Sequence, residues 1–102
     1  MPAYWVARSK INTPENYSKY TALVGDIVSE YGGKPLSRGG KFQIMEGPDY
    51  FERFVVIEFP TFEEAVACFE SDAYQKAAVH RRDGSGEVET VILDATQGMG
   101  AN

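Results

Sequence analysis

The stretch Phe54-Val55-Val56-Ile57-Glu58-Phe59 decides the fold. All of its residues except Glu58 are apolar, and a strand that is apolar in both registers has both of its faces covered in the folded chain. Pro60 follows directly and ends the strand, because proline donates no hydrogen bond to a neighbouring strand. Each face of this strand therefore needs a cover.

The chain before this stretch predicts a strand and a helix. Residues 3–9 are β-branched, aromatic or small and predict the first strand. Thr13-Pro14 supplies a polar cap and a proline at the first helical position, and Gly32-Gly33 ends the helix. Between them the apolar residues fall on one helical stripe: Tyr17, Tyr20, Val24, Ile27, Val28 and Tyr31.

The remaining elements are punctuated by glycine and by helix caps. A second strand runs over residues 35–38, bends or bulges at Gly39-Gly40 and resumes over residues 42–46. Thr61 and Glu64 have capping-box spacing, and Ser71-Asp72 restarts a helix that ends at Gly84-Ser85-Gly86. Residues 88–93 predict the last strand.

The resulting order, β-α-β-β-α-β, is that of the ferredoxin-like α+β fold with an antiparallel sheet. Right-handed crossovers place its two helices on one face of the sheet. The other face is also apolar, and the economical cover is a second copy of the chain packed sheet against sheet. We therefore expect an isologous homodimer that resembles the dimeric α/β-barrel superfamily.

Composition excludes several classes of function. The 102 residues carry 10 basic and 15 acidic side chains, a formal net charge of -5, which argues against a nucleic-acid partner. No apolar run approaches the roughly 18 residues of a membrane span. A single cysteine, Cys68, predicts a reducing cytoplasm, and with one histidine, His80, it predicts no metal or other cofactor. We expect one domain over residues 1–94 and a tail over residues 95–102.

Short pieces along nearly the whole chain resemble the family called domain of unknown function 1330. In chain order they are Ala3-Tyr4-Trp5-Val6-Ala7-Arg8, Tyr17-Ser18-Lys19-Tyr20, Tyr31-Gly32-Gly33, Arg38-Gly39-Gly40, Glu46-Gly47, Val56-Ile57-Glu58-Phe59-Pro60, Ser71-Asp72-Ala73-Tyr74-Gln75 and Arg81. The chain departs from the pattern at Phe69, where tryptophan is usual, and at Ser71-Asp72, where Ser-Pro is usual. The resemblance implies a dimeric ferredoxin-like barrel of undefined activity.

Glu58 is the one charged residue in the deciding strand and the candidate catalytic residue. On a strand face shared with Phe54 and Val56, its carboxylate is expected in a low-dielectric setting. It would then act as a general base or as an anchor for a substrate. The alternative is a permanent ion pair with an arginine such as Arg8, which would hold the strand register or the dimer contact.

Arginines and aromatic residues are the candidate ligand-binding residues. Arg81 lies two helical turns after Tyr74 on the same stripe, so it needs an anionic partner. Together with Arg8 and Arg38 on predicted strands, it could clamp a carboxylate. The tyrosines and the tryptophan that the topology places between helices and sheet form either plain core or a pocket wall. The predicted substrate-binding set is Trp5, Arg8, Tyr20, Arg38, Tyr74 and Arg81.

Two functions are compatible with these patterns. The first is a small-molecule binder, or a cofactor-independent enzyme, with a cleft between sheet and helices for an anionic or carbonyl-bearing molecule. The second is a non-catalytic dimeric module, structural or ligand-sensing, whose buried charges are interface salt bridges. A third, haem binding, would need His80, which lies off the buried helical stripe.

Overall fold

The computed structural model describes residues 2–95. In this part of the chain four strands and three helices follow one another: β1 (Ala3–Ile11), α1 (Pro14–Glu30), β2 (Lys34–Arg38), β3 (Arg53–Phe59), α2 (Phe62–Glu70), α3 (Asp72–Arg82) and β4 (Gly86–Asp94). The strands form one antiparallel sheet in the order β2-β3-β1-β4. The predicted ferredoxin-like α+β fold is confirmed, with its second crossover helix divided at Ser71 into α2 and α3.

The register of β1 against β3 separates the two faces of the sheet. Trp5 pairs with Ile57, and both side chains are buried on the face that the helices cover. Arg8 pairs with Phe54 on the opposite face, which is less buried. We call that opposite face the open face; its residues are Tyr4, Val6, Arg8, Phe54, Val56, Glu58, Glu89, Val91 and Leu93.

Aromatic rings fill the core between the sheet and the helices. The Trp5 ring stacks on Phe59 with the ring centroids 6.0 Å apart, and the Tyr74 ring meets Trp5 edge-on at 5.1 Å. Cys68 lies in the same core and is fully buried. Its thiol is free, and the cytoplasmic location expected from a single cysteine stays a prediction.

The helix starts differ in how they are capped. The Thr61 hydroxyl accepts a hydrogen bond of 3.1 Å from the Glu64 amide, and the Ser71 hydroxyl accepts one of the same length from the Tyr74 amide. Both caps satisfy amides that have no partner inside the helix. The side chain of Thr13, by contrast, makes no capping hydrogen bond, so α1 begins on Pro14 alone.

The predicted second strand is wrong in its latter half. β2 ends at Arg38, and residues 41–44 are not a strand. The cause is Gly39, whose φ of +79° turns the chain away from the sheet after its amide bonds to the Phe54 carbonyl at 3.1 Å. The register irregularity lies earlier in β2, between Pro35 and Ser37.

Two expectations concern the ends and the surroundings of the chain. The predicted tail over residues 95–102 falls, apart from Ala95, outside the described residues, and the domain boundary at residue 94 stays a prediction. Among the helices of residues 2–95, none combines the length and the apolar character that a membrane crossing requires.

Candidate functional site

A cavity of about 320 Å³ lies between α1 and the helix-covered face of the sheet. We call it the α1 cavity. Its lining residues come from α1, all four strands and no other element: Trp5, Ala7, Ser9, Tyr17, Tyr20, Thr21, Val24, Gly25, Val28, Pro35, Arg38, Arg53, Val55, Ile57 and Val88. This volume is at the lower end of the roughly 300–1,000 Å³ typical of small-molecule sites.

The helix contributes one stripe to this wall. Thr21, Val24, Gly25 and Val28 recur at intervals of three and four residues, which brings them onto one face of α1. Gly25 is the unusual member, since glycine in a helix interior costs about 1 kcal/mol relative to alanine. Apart from its chain neighbours and the backbone of its own helix, no atom lies within 4 Å of the position that a Cβ would take there, so close packing does not require the glycine.

The charge of the cavity wall is opposite to that of the chain. Arg38 and Arg53 both line the cavity, and no aspartate or glutamate does. Neither arginine forms an ion pair with a carboxylate of residues 2–95. In a chain with 15 acidic and 10 basic side chains, the cavity is therefore a local site of positive charge.

Arg53 begins a series of hydrogen-bonded hydroxyl groups, here called a hydroxyl chain, along one side of the cavity. Its guanidinium donates to the Tyr17 hydroxyl at 3.0 Å, and that hydroxyl donates to the Ser9 hydroxyl at 3.1 Å. Ser9 and Arg53 are paired across β1 and β3, which places both on the helix-covered face. All three residues line the cavity, and Ser9 is only 2% exposed.

Arg81 begins a second hydroxyl chain. Its guanidinium donates to the Tyr74 hydroxyl at 2.8 Å, and the Tyr74 and Tyr20 hydroxyls share a hydrogen bond of 2.9 Å. Arg81 is 5% exposed, and its Nε has no hydrogen-bond partner within the described chain. No carboxylate of that part of the chain lies in ion-pair range of it.

Burial governs the ionisation of the groups in this second hydroxyl chain. Burial, reinforced by the neighbouring Tyr74, raises the pKa of Tyr20 well above the ordinary value for tyrosine. Burial acts to lower the pKa of Arg81, but the oxygens of Tyr74 and Tyr20 outweigh it and hold that pKa above its ordinary value. Tyr20 is consequently a hydrogen-bond donor, and Arg81 a buried cation, throughout the physiological pH range.

The residues predicted to bind a ligand lie in three places: at the α1 cavity, behind its wall, and on the open face. Trp5, Tyr20 and Arg38 line the α1 cavity. Tyr74 and Arg81 lie behind its wall, in contact with Tyr20. The role of each of these residues in binding stays a prediction.

Arg8 and Glu58 lie on the open face, away from the cavity. The alternative ion pair between these two residues does not form within the single chain: Arg8 bonds Glu89 at 2.8 Å and stacks over the Phe51 ring at 4.2 Å. The register explains this, since Arg8 is directly opposite Glu89 on β4, whereas Glu58 is opposite Tyr4. Glu58 is half-buried and has no ion-pair partner in residues 2–95.

Arg53, Ser9 and Gly25 are among the cavity residues that the sequence interpretation did not select. β3 begins at Arg53, one residue earlier than predicted, and Arg53 shares the parity of Val55 and Ile57. Extending the alternation by one position would have placed it on the helix-covered face. Ser9 shares the parity of Trp5 in the same way. Gly25 carries no comparable signal, because a glycine within a helical stripe does not reveal a neighbouring cavity.

No group of three or more His, Cys, Asp or Glu side chains that could hold a metal ion occurs in residues 2–95. The lining offers instead guanidinium, hydroxyl and aromatic groups. These groups bind oxygen-bearing and planar molecules by hydrogen bonds and stacking.

Comparison with protein families identifies the chain. The family model described as "Domain of unknown function (DUF1330)" matches residues 2–96. The chain belongs to this family. The resemblance expected from the short sequence pieces is thereby confirmed. No curated protein matches the sequence.

Solved structures of other proteins share the fold. RPA0582 from Rhodopseudomonas palustris, of unknown function, has a TM-score of 0.74 at 18% identity, covering 92% of this chain and 82% of its own. A dimeric ferredoxin-like protein of unknown function from Jannaschia sp. CCS1 has a TM-score of 0.74 at 12% identity, with 93% and 100% covered. SnoaB, a cofactor-independent oxygenase from Streptomyces nogalater, has a TM-score of 0.60 at 12% identity, with 96% of each chain covered. Similarity at these identities establishes the fold and nothing further.

Proposed function

We propose that this DUF1330 protein binds a small anionic or carbonyl-bearing molecule in the α1 cavity. The observation that carries the proposal is the pair of arginines, Arg38 and Arg53, on a cavity wall that has no carboxylate. With no carboxylate beside them, these guanidinium groups are available to an anion or a polarised oxygen of a ligand. Arg8 and Lys10, by contrast, each form an ion pair with a carboxylate away from the cavity.

Gly25 gives independent support. A small domain of this size has little stability to spare, yet α1 keeps a glycine at the cavity wall where a Cβ would meet no atom. Alanine at this position would stabilise the helix by about 1 kcal/mol. We attribute the glycine to the space that it leaves open for a ligand.

Binding is better supported than acid–base catalysis. The cavity lining contains no Asp, Glu, His or Cys, which are the usual proton-transfer groups. Glu58, the predicted base, lies on the open face. A cofactor-independent reaction, of the class named for SnoaB, is a second candidate only through the shared fold.

The test uses the single tryptophan as a probe, because Trp5 lines the cavity. Benzoate and acetophenone are titrated into the protein while Trp5 fluorescence and the melting temperature are followed. We expect at least one of them to saturate at millimolar concentration or below and to raise the melting temperature. Arg53→Gln should weaken benzoate binding by about tenfold, since it removes one of the two positive charges from the wall.

Arg8→Gln is the matched control for Arg53→Gln. It removes the same charge from β1 at a position on the open face, so benzoate binding should equal that of the wild type. If neither compound changes the Trp5 signal or the melting temperature, the proposed function is wrong. Equal losses in the two variants would assign the effect to net charge rather than to the cavity and would contradict the proposal too.

We propose also that the open face is covered by a second copy of this chain, forming a homodimer. The face carries exposed apolar side chains on its edge strand β4, where Val91 is 54% and Leu93 41% exposed. The similar protein from Jannaschia sp. CCS1 is described as dimeric. Arg8, Glu58 and Glu89 would then lie in or beside the dimer contact, which is where the non-catalytic interpretation placed its salt bridges.

A further inference from the structure

We propose that Tyr20 and Ser9 donate the hydrogen bonds that select the ligand, that the ligand is a small aromatic carboxylate, and that Arg81 acts on it through Tyr74. This inference rests on the proposed function, since it names the substrate class of the same cavity. It is carried by the two guanidinium-headed hydroxyl chains, Arg53–Tyr17–Ser9 and Arg81–Tyr74–Tyr20.

Counting the hydroxyl hydrogens locates the free donor of the second hydroxyl chain, the one that begins at Arg81. Tyr74 and Tyr20 have two hydroxyl hydrogens, and the bond between their oxygens uses one of them. The Tyr74 oxygen already accepts from Arg81, and Tyr74 is fully buried away from the cavity lining. Leaving the unused hydrogen on Tyr74 would bury an unsatisfied donor, which is costly. Tyr74 therefore donates to Tyr20, and the remaining hydrogen belongs to Tyr20, which lines the cavity.

The first hydroxyl chain, which begins at Arg53, also ends in a free hydroxyl donor. The Tyr17 hydroxyl accepts from Arg53 and donates to Ser9, so its hydrogen is used. The Ser9 hydroxyl accepts from Tyr17 and has its own hydrogen left, with no acceptor found for it in residues 2–95. Ser9 also lines the cavity. The two chains run side by side, since the Tyr17 and Tyr20 ring centroids are 5.6 Å apart.

Each arginine strengthens the donor at the far end of its chain. A hydroxyl that accepts from a cation becomes a better donor to the next group, and the effect passes along the chain. The pKa of Tyr20 lies above the ordinary range, so its hydroxyl keeps the hydrogen to donate. Arg81 thus acts as a positioning residue: it does not line the cavity, yet it orients and polarises Tyr20 through Tyr74.

The ligand class follows from the donor set. Two free hydroxyl hydrogens and two arginines on one wall, with no free carboxylate beside them, match a ligand that brings two acceptor oxygens and a negative charge. The rings of Trp5, Tyr17 and Tyr20 on the same lining favour a planar, aromatic body. A primary amide of the same shape would direct an NH₂ donor at one of these protein donors, so the cavity should reject it.

The experiment compares benzoate with benzamide, which differ little in shape. The wild type should bind benzoate about tenfold or more tightly than benzamide. Tyr20→Phe keeps the ring and removes one of the two hydroxyl donors, so it should lower this ratio several-fold. Tyr74→Phe should lower the ratio by an intermediate factor, because it disconnects Arg81 while Tyr20 keeps its hydroxyl. Tyr31→Phe, at a half-buried tyrosine outside the lining, is the matched control and should leave the ratio unchanged.

The outcomes separate this inference from the proposed function. If benzoate and benzamide bind the wild type equally well, the cavity binds ligands but the carboxylate assignment is overturned. If Tyr20→Phe and Tyr31→Phe give the same ratio of benzoate to benzamide affinity, the donor role of Tyr20 is overturned. Absence of all binding by the wild type overturns the proposed function together with this inference. The wild-type ratio decides the ligand class even if Tyr20→Phe fails to fold.

Discussion

The hydroxyl oxygens of Tyr20 and Tyr74 lie 2.9 Å apart, although 54 residues separate them in the sequence. Tyr20 comes from α1 and Tyr74 from α3, so this bond joins the two crossover connections over the centre of the sheet. Arg81 donates to the same Tyr74 oxygen, and its side chain is buried without a carboxylate. The core of this small domain thus contains a permanent charge that is held by phenol oxygens.

Tyr74→Phe tests how much that arrangement stabilises the fold. The substitution removes the acceptor of the Arg81 guanidinium, whose Nε already has no partner within residues 2–95. We expect the free energy of unfolding to fall by about 2–3 kcal/mol, since the buried donor belongs to a cation. Urea denaturation followed by circular dichroism measures it.

Tyr20→Phe is the control for this stability change. It leaves the bond between Arg81 and Tyr74 in place, so it should cost only about 1 kcal/mol. A Tyr74→Phe protein as stable as Tyr20→Phe would mean that the guanidinium finds another partner and that the Tyr74 oxygen is dispensable.

The stability of the chain should fall at alkaline pH because of Cys68. Burial, with a smaller effect of the Glu30 carboxylate, raises the pKa of the Cys68 thiol to about 11. An unfolded thiol loses its proton near pH 8.5–9, so between about pH 9 and 11 unfolding releases a proton and becomes more favourable. The contribution is complete below pH 9 and is lost as the pH rises through 11, by about 2–3 kcal/mol in all.

Comparison with Cys68→Ala isolates this effect, because the cost of the small cavity that alanine leaves does not depend on pH. The difference in unfolding free energy between the wild type and Cys68→Ala should therefore shrink steadily from pH 8 to the alkaline limit of the measurement. A constant difference over that range would show that the thiol ionises in the folded chain as it does in the unfolded one.

Much of the fold was predictable because the sheet alternates strictly. In β1, Trp5 and Ala7 face the helices while Tyr4 and Val6 face away, and the same parity runs through β3. Capping chemistry likewise located the division at Ser71. The failure at residues 42–46 has a local cause. After the positive-φ Gly39 the chain leaves the sheet edge, and Phe42 packs at a tilt against Phe54 on the open face, with the ring centroids 4.8 Å apart.

The candidate site was predictable only in part, because a cavity is a property of the tertiary packing. Trp5, Tyr20 and Arg38 could be selected by residue type and face. The bond between Tyr74 and Tyr20 depends on how α1 and α3 approach one another, and no local pattern encodes that distance. Glu58 was selected because it is a charged residue in an apolar strand, yet it lies on the open face and not at the cavity.

Val91→Glu tests the proposed homodimer. Val91 is 54% exposed in the single chain and lies on the open face opposite Val6. A carboxylate there would be desolvated in a sheet-to-sheet contact, so the variant should sediment as one chain of 11.3 kDa while the wild type sediments at twice that mass. Analytical ultracentrifugation at micromolar concentration distinguishes the two.

Val79→Glu is the matched control for this test. It introduces the same change at a residue 61% exposed on α3, on the helix side of the sheet. It should leave the wild-type mass unchanged. A wild type that sediments at 11.3 kDa, or a Val79→Glu protein that dissociates as readily as Val91→Glu, would contradict a dimer formed through the open face.

Gly25 links stability to ligand binding, and its substitutions should separate the two. Gly25→Ala should raise the free energy of unfolding by about 1 kcal/mol, because alanine favours the helix and its Cβ meets no atom. Gly25→Leu extends an apolar side chain from the cavity wall, so it should abolish benzoate binding while the protein stays folded. Ala22→Leu, at an exposed position of the same helix, is the control and should leave binding intact. If Gly25→Leu binds benzoate as the wild type does, the ligand lies elsewhere; if Gly25→Ala destabilises the chain, the glycine serves the fold rather than the cavity.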